Sequence, residues 1–218
     1  MKKLRITKNI IQGRPGYELN IIDKKASIQD LLDELNLFIE EGNLERCWPA
    51  GQNNCYGCDL CCHEPLPLTL IDVKNICQIK GISLIDAFKY LWVETQDNVI
   101  DITLRRSRGG RCIFLQSDST CSIYENRPFL CQTYICCHTT PQMEELRSQV
   151  VNMGMDELIR ASIQEFSLVG RSLPLNRSHN ARVDIKDWSR NQFTDKYNYS
   201  QILIKNVLTS DLFKHMVL

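Results

Sequence analysis

The sequence predicts an α+β fold: a compact cysteine-rich core with small antiparallel β elements and flanking helices. Three observations lead there. Segments alternating apolar and polar residues, such as Leu4 to Ile21 and Val99 to Leu104, stand apart from segments with apolar residues at helical spacing, such as Ile28 to Phe38 and Leu70 to Ile79. All eleven cysteines fall between residues 47 and 137, well inside the chain. With 218 residues, 43% of them hydrophobic, the chain can bury a sizeable core without a metal to rescue it, so one domain over 1–218 is expected, with a cysteine-cluster core at 47–140.

The elements follow in order. Residues 4–23 read as two strands around the turn Gly13-Arg14-Pro15-Gly16, a β-hairpin. Ser27 is placed to cap a helix whose apolar face is Ile28, Leu31, Leu32, Leu35, Leu37 and Phe38, ending near Gly42. The turn-rich stretch Cys47 to Cys55 is a loop feeding the cysteine cluster. Thr69 and Ser83 cap two short helices, Leu70 to Ile79, stopped by Gly81, and Leu84 to Val93. Strands are expected at Val99–Leu104, Cys112–Leu115 and Cys121–Tyr124, a small antiparallel unit with cysteines at strand starts. Pro141 opens a long helix to about Val169, with a break expected near Gly154, and helices follow at Tyr199–Leu208 and Asp211–Leu218.

Net charge is zero with acids and bases interleaved, which leaves no basic stripe for nucleic acid and no polybasic membrane anchor. No apolar run approaches the roughly 20 residues of a membrane span. A protein or small-molecule partner is therefore expected. The opening Met-Lys-Lys-Leu-Arg-Ile-Thr lacks the apolar segment of a signal peptide, so a cytoplasmic location with reduced thiols is expected.

The densest signal is Cys55-Tyr-Gly-Cys58-Asp-Leu-Cys61-Cys62, four thiols in eight residues. Soft donors packed this closely suit Zn²⁺ or an iron–sulfur unit, whereas a disulfide needs Cα atoms roughly 4.4–6.8 Å apart with a set torsion. On a helical turn Cys55, Cys58 and Cys62 share a face. In a loop wrapped around a cubane, Cys55, Cys58 and Cys61 reproduce the first three ligands of a bacterial ferredoxin run. Either arrangement leaves one local thiol over and takes its fourth ligand from Cys112, Cys121 or Cys131.

The blocks Cys55-x2-Cys58-x2-Cys61-Cys62, Gly110-Arg-Cys112-Ile-Phe-Leu115 and Cys121-Ser-Ile-Tyr124-Glu-Asn-Arg127-Pro128-x2-Cys131 resemble the YkgJ-type CxxCxxCC proteins, a family of zinc- or iron-chelating domains, over about residues 47–140. The resemblance implies a metal site of Cys55, Cys58, Cys61, Cys62, Cys112, Cys121 and Cys131. The cysteine pattern is also similar to that of the flagellin lysine N-methylases, which implies a 4Fe-4S cluster and S-adenosylmethionine. The similarity to those enzymes stops at the cysteine region. Cys136-Cys137-His138 exceed the usual pattern and read either as a second centre or as buried small residues beside the first. The role of Cys47 is open.

Zinc's usual pair of CxxC units is absent, which favours an iron–sulfur centre over zinc. His63 is a candidate ligand or a solvated loop residue. Arg127 is a candidate for a carboxylate-bearing cofactor, or pairs with a local acid while Pro128 starts a helix. Tyr124 and Phe114 are expected to shield the metal. Asp59, Glu64 and Asp72 lie near the thiols without a paired acid/base spacing, and Cys77 reads as core. No phosphate loop, CxxxCxxC radical motif or Rossmann methyltransferase domain is present. Two functions remain: a metal-centred group-transfer or redox enzyme, and a zinc-stabilised interaction module or metallochaperone whose helices at 141–170 and 199–218 bind a partner.

Overall fold

The computed structural model describes residues 2–42, 56–179, 185 and 188–218. Cys47 and Cys55 lie outside them. Seven α-helices and two small three-stranded mixed sheets make the fold α+β. No described helix is long and apolar enough to cross a membrane.

The first sheet is the expected hairpin, β1 (Leu4–Ile11) and β2 (Arg14–Ile21), joined in parallel by the two-residue β5 (His138–Thr139). Its turn is Gln12-Gly13, both at positive φ, so Arg14, Pro15 and Gly16 belong to β2 rather than to the turn. A two-residue loop of this backbone matches the natural twist of paired strands. The helix α1 (Ile28–Glu40) begins at a capping box: Ser27 accepts from the Asp30 amide while the Asp30 carboxylate accepts from Ser27. The helix α2 (Leu70–Lys80) begins the same way with Thr69 and Asp72, and Gly81 ends it in the left-handed conformation.

Beyond α2 the structure corrects the sequence reading. The expected helix at 84–93 is one turn, α3 (Leu84–Ala87), then a 3₁₀ turn at Phe88–Tyr90, then a strand β3 (Leu91–Gln96). β3 pairs antiparallel with β4 (Val99–Leu104) around Asp97-Asn98, and β6 (Arg177–His179) adds a short parallel edge. The strands expected at Cys112–Leu115 and Cys121–Tyr124 are single bridges, Arg106 to Cys112 and Leu115 to Cys121, around two tight loops. Loop closure takes up the residues that a ladder would need.

A five-residue helix, α4 (Phe129–Thr133), follows Pro128, which is its N-cap rather than its first helical residue. Helix α5 (Pro141–Leu168) runs unbroken through Gly154. The C-terminal segment is a 3₁₀ turn at Tyr199–Gln201 and two short helices, α6 (Ile204–Val207) and α7 (Ser210–Met216).

Buried side chains form two clusters. One joins β1, β2 and α1 to Phe129, Tyr199 and Ile204, and the other joins β3 and β4 to Val73, Ile76, Phe88 and Phe114. Helix α5 serves both, giving Leu146 and Val150 to the first and Leu158 and Phe166 to the second. Each such side chain contributes about 1.5–3 kcal/mol of transfer free energy.

Gly154 is what lets α5 approach α2, because a Cβ there would stand 2.5 Å from the Thr69 side chain and 3.1 Å from Phe193. Gly154→Ala is therefore expected to destabilise the fold by about 1–3 kcal/mol through overpacking. Gly109→Ala, whose added carbon would meet only Ser107 Oγ at 3.9 Å, should leave the melting temperature nearly unchanged. Thermal unfolding of the two variants checks the contrast, and equal melting temperatures would contradict the close approach.

Candidate metal centre

The local run starts at a turn, Tyr56-Gly57, where Gly57 takes φ +71°, a conformation that glycine alone adopts at little cost. A 3₁₀ turn follows at Leu60–His63, with the Cys62 amide donating to the Asp59 carbonyl at 2.9 Å. Three residues per turn set neighbouring side chains about 120° apart, and Cys61 and Cys62 flank one cavity from either side. The Cys62 carbonyl then accepts from the Cys112 amide at 2.8 Å, which stitches the first thiol segment to the second.

The second segment is two successive tight loops. Ser107 N donates to the Arg111 carbonyl at 2.8 Å and Gln116 N to the Thr120 carbonyl at 2.8 Å, so each loop returns the chain to deliver a cysteine, Cys112 and then Cys121. Both pack against the second hydrophobic cluster.

Cys131 arrives on α4, which is held at both ends. Asp72, fully buried at the start of α2, accepts from the Phe129 amide at 2.8 Å, from Tyr199 Oη at 2.7 Å and from the Thr69 amide at 2.9 Å. A carboxylate at a helix N-terminus also opposes the positive end of its dipole. Burial pushes the Asp72 carboxyl above its ordinary value, while the donors on Thr69, Tyr199 and Phe129 pull it down. At the other end Arg147, itself buried and paired with Glu144, donates to the Thr133 carbonyl at 3.0 Å.

The three segments meet at a cavity of about 50 Å³ lined by Cys58, Cys61, Cys62, Cys112, Cys121 and Cys131. Six of the seven sequence-predicted ligands are thus on one wall system, and the seventh, Cys55, lies outside the described residues. Leu66, Leu104, Phe114 and Ile123 form the apolar part of the lining. Phe114 and Tyr124 both border the cavity, as expected. Tyr56 packs edge-on against Tyr124, and the Arg127 guanidinium lies 3.9 Å from the centre of the Tyr124 ring. Arg127 makes no pairing with a local acid here: it donates to the Tyr124 carbonyl at 3.0 Å and to Asn36 at 3.3 Å.

The electrostatics centre on Cys61. The hydrogen bond to Cys61, then burial, pushes the Cys62 thiol up. Burial raises Cys112, Cys121 and Cys131, and Cys61 raises each of them further. Arg127 is the one cation that favours ionisation of Cys121. Thiolates this close repel one another, and a cation among them is what would let several ionise together. No disulfide joins any two described cysteines. As the side chains stand, no three His, Cys, Asp or Glu among the described residues are arranged to hold one ion, so closing on a metal requires rotation toward a common point. The donor set nonetheless suits zinc or iron: soft sulfur from separate segments behind an apolar wall.

Other candidates separate cleanly. Cys136, open in the sequence, lines the same cavity, whereas Cys137 packs against the first hydrophobic cluster and His138 sits in β5. An eighth thiol was visible only as an excess over the usual pattern. His63 leans on Asp59, 3.7 Å away, and is not on the cavity wall. Glu64 is on that wall. Cys77 packs on the second cluster, its Sγ 3.5 Å from the Ser83 carbonyl, away from the other thiols.

Residues 54–152 match the CxxCxxCC family model, described as a "putative zinc- or iron-chelating domain". No curated protein and no solved structure matches the chain. The family supports metal binding by zinc or iron.

Asp72→Ala removes the shared acceptor of three buried donors, at a cost of about 3 kcal/mol in unfolding free energy. It should also lower retained metal, because α4 loses the contact that aims Cys131. Denaturant unfolding together with metal analysis checks both, and a variant of unchanged stability would contradict the role given to Asp72.

Proposed function

We propose that this domain holds an iron–sulfur cluster of the 4Fe-4S type in the site formed by Cys55, Cys58, Cys61, Cys62, Cys112, Cys121 and Cys131, four of these thiols ligating its irons and three standing beside it. The observation that carries this reading is the meeting of local and remote thiols on one cavity. Cys58 and Cys61, two of the three thiols at ferredoxin-like x2-x2 spacing, line one cavity with the remote Cys112, Cys121 and Cys131, which supports a cluster held by local thiols and a distant fourth. When bound, such a cluster supplies one-electron redox chemistry, and Lewis-acid binding where an iron is left without a protein ligand. The chain's own contributions are distinct. Leu66, Leu104, Phe114 and Ile123 keep water from the sulfurs, and Arg127 sets a fixed positive charge on the wall. If S-adenosylmethionine is the co-substrate of a group transfer, Arg127 is the residue placed to meet its carboxylate. A reducing compartment such as the cytoplasm suits thiols that must stay unpaired until metallated.

A second reading, a zinc-stabilised module or metallochaperone without catalysis, is favoured by the small free space. About 50 Å³ has room for a few waters, which suits a closed centre.

Protein purified without oxygen is expected to be brown, with broad visible absorption and iron and sulfide in equal amounts. Cys131→Ser should lose that absorption, whereas Cys77→Ser should keep it. Colourless protein containing zinc alone would select the second reading.

A further inference from the structure

Four arginines, Arg105, Arg106, Arg108 and Arg111, fall within seven residues of a chain whose net charge is zero. Among the described residues none of them makes an ion pair. Their only side-chain hydrogen bonds go to backbone carbonyls, Arg106 to His63 at 2.9 Å and Arg111 to Gln116 at 3.5 Å. Arg105 Nε is buried with no hydrogen-bond partner, and Arg108 is exposed. Concentrated like charge is unfavourable unless an anion relieves it. The loop that carries it is closed by Ser107 N to Arg111 O at 2.8 Å and Gly110 N to Ser107 O at 2.9 Å, with Gly110 at φ +78°.

Arg106 and Arg108 line a groove of about 590 Å³ on the outer face of β3 and β4, within the size range of small-molecule sites. Its floor includes Trp92, 39% exposed, and its side includes Pro65 and Pro67. Glu94 and Asp101, paired across the strands, close the far end, and Glu94 is already matched by Arg177 at 3.3 Å. The groove is therefore basic at one end only. That end adjoins the cysteine cavity, because Leu104 and Arg106 line both.

We propose that this groove binds the oxyanion end of a small molecule, a phosphate or carboxylate held by Arg106 and Arg108, with the flat or apolar part of the molecule against Trp92. Guanidinium groups present planar forks of donors that suit both oxyanions. A ligand seated there extends toward the metal cavity, and on the group-transfer reading proposed above the groove is its substrate-holding part. The site does not depend on which metal the thiols hold, and its test is read on binding alone.

Calorimetric titration of the metal-loaded protein at low ionic strength with inorganic pyrophosphate, and separately with citrate, tests it. Saturable binding of at least one is expected, and the tighter probe identifies phosphate or carboxylate as the preferred anion. Arg108→Gln, at an exposed side chain without hydrogen bonds, should weaken binding several-fold. Arg106→Gln/Arg108→Gln should weaken it by about tenfold or more, since charge-assisted hydrogen bonds are the strong ones. Lys24→Gln/Lys25→Gln, on the connection between β2 and α1, should leave binding unchanged. No binding of either probe, undiminished binding by the Arg108→Gln variant, or equal loss in the lysine variant would each overturn the site.

Discussion

The geometry of the site depends on one buried carboxylate. Asp72 completes the capping box of α2, and its Oδ1 also accepts from the Phe129 amide and from Tyr199, so α2, α4 and the C-terminal segment are fixed to one another by a single side chain. Removing a carboxylate from water is expensive, and the cost is offset only where donors surround it. Here three donors do so, and Thr69 Oγ1 stands 2.6 Å from Tyr199 Oη to close the ring of polar contacts. Arg147 answers at the far end of α4. A helix of five residues has little stability of its own, so these two contacts are what give Cys131 a defined position.

The remaining thiols reach the cavity by a different device. Cys61, Cys62, Cys112 and Cys121 are carried on tight turns with few ladder hydrogen bonds, and they meet where the two hydrophobic clusters adjoin. Phe114 and Ile123 come from one cluster, while Phe129 and Ile135 flank α4 in the other. Such turns are inexpensive to displace, whereas the hairpin, α1 and α5 are anchored by many buried apolar side chains. The scaffold is stable on its own burial, and a metal bound by these thiols would tie the turns to it. The arginine loop between Leu104 and Cys112 belongs to the same set of turns, which places the anion site and the metal site under one local constraint.

Local chemistry made some of this legible in the sequence. Ser27 and Thr69 each stand three residues before an aspartate and ahead of an apolar helical face, and both helices begin there. The alternation through residues 4–21 likewise survived tertiary packing, with its turn displaced toward Gln12. Where the reading failed, tertiary pairing decided. Leu91 and Val93 fit the helical spacing that starts at Leu84, yet β4 recruits them into a strand. Cys112 and Cys121 have strand-like neighbours, but too few residues separate them for anything beyond single bridges. Asp72 read as one of three acids near the thiols. Nothing in its local sequence told that Phe129 and Tyr199, 57 and 127 residues away, would converge on it. The place of Cys136 stayed open between two readings, and the arginine loop was missed, for the same reason, since sharing a cavity wall is a long-range property.

Amide hydrogen exchange, measured with the metal bound and after chelation, tests the central claim most directly. The account predicts that residues 56–65 and 105–136 lose protection together on chelation, because one centre joins them. The hairpin of β1 and β2 and the long helix α5 should remain protected, held by burial. Loss of protection throughout the chain would contradict the account, since the metal and not the scaffold would then carry the fold. Loosening of 56–65 alone would contradict it too, by placing Cys112, Cys121 and Cys131 outside the centre.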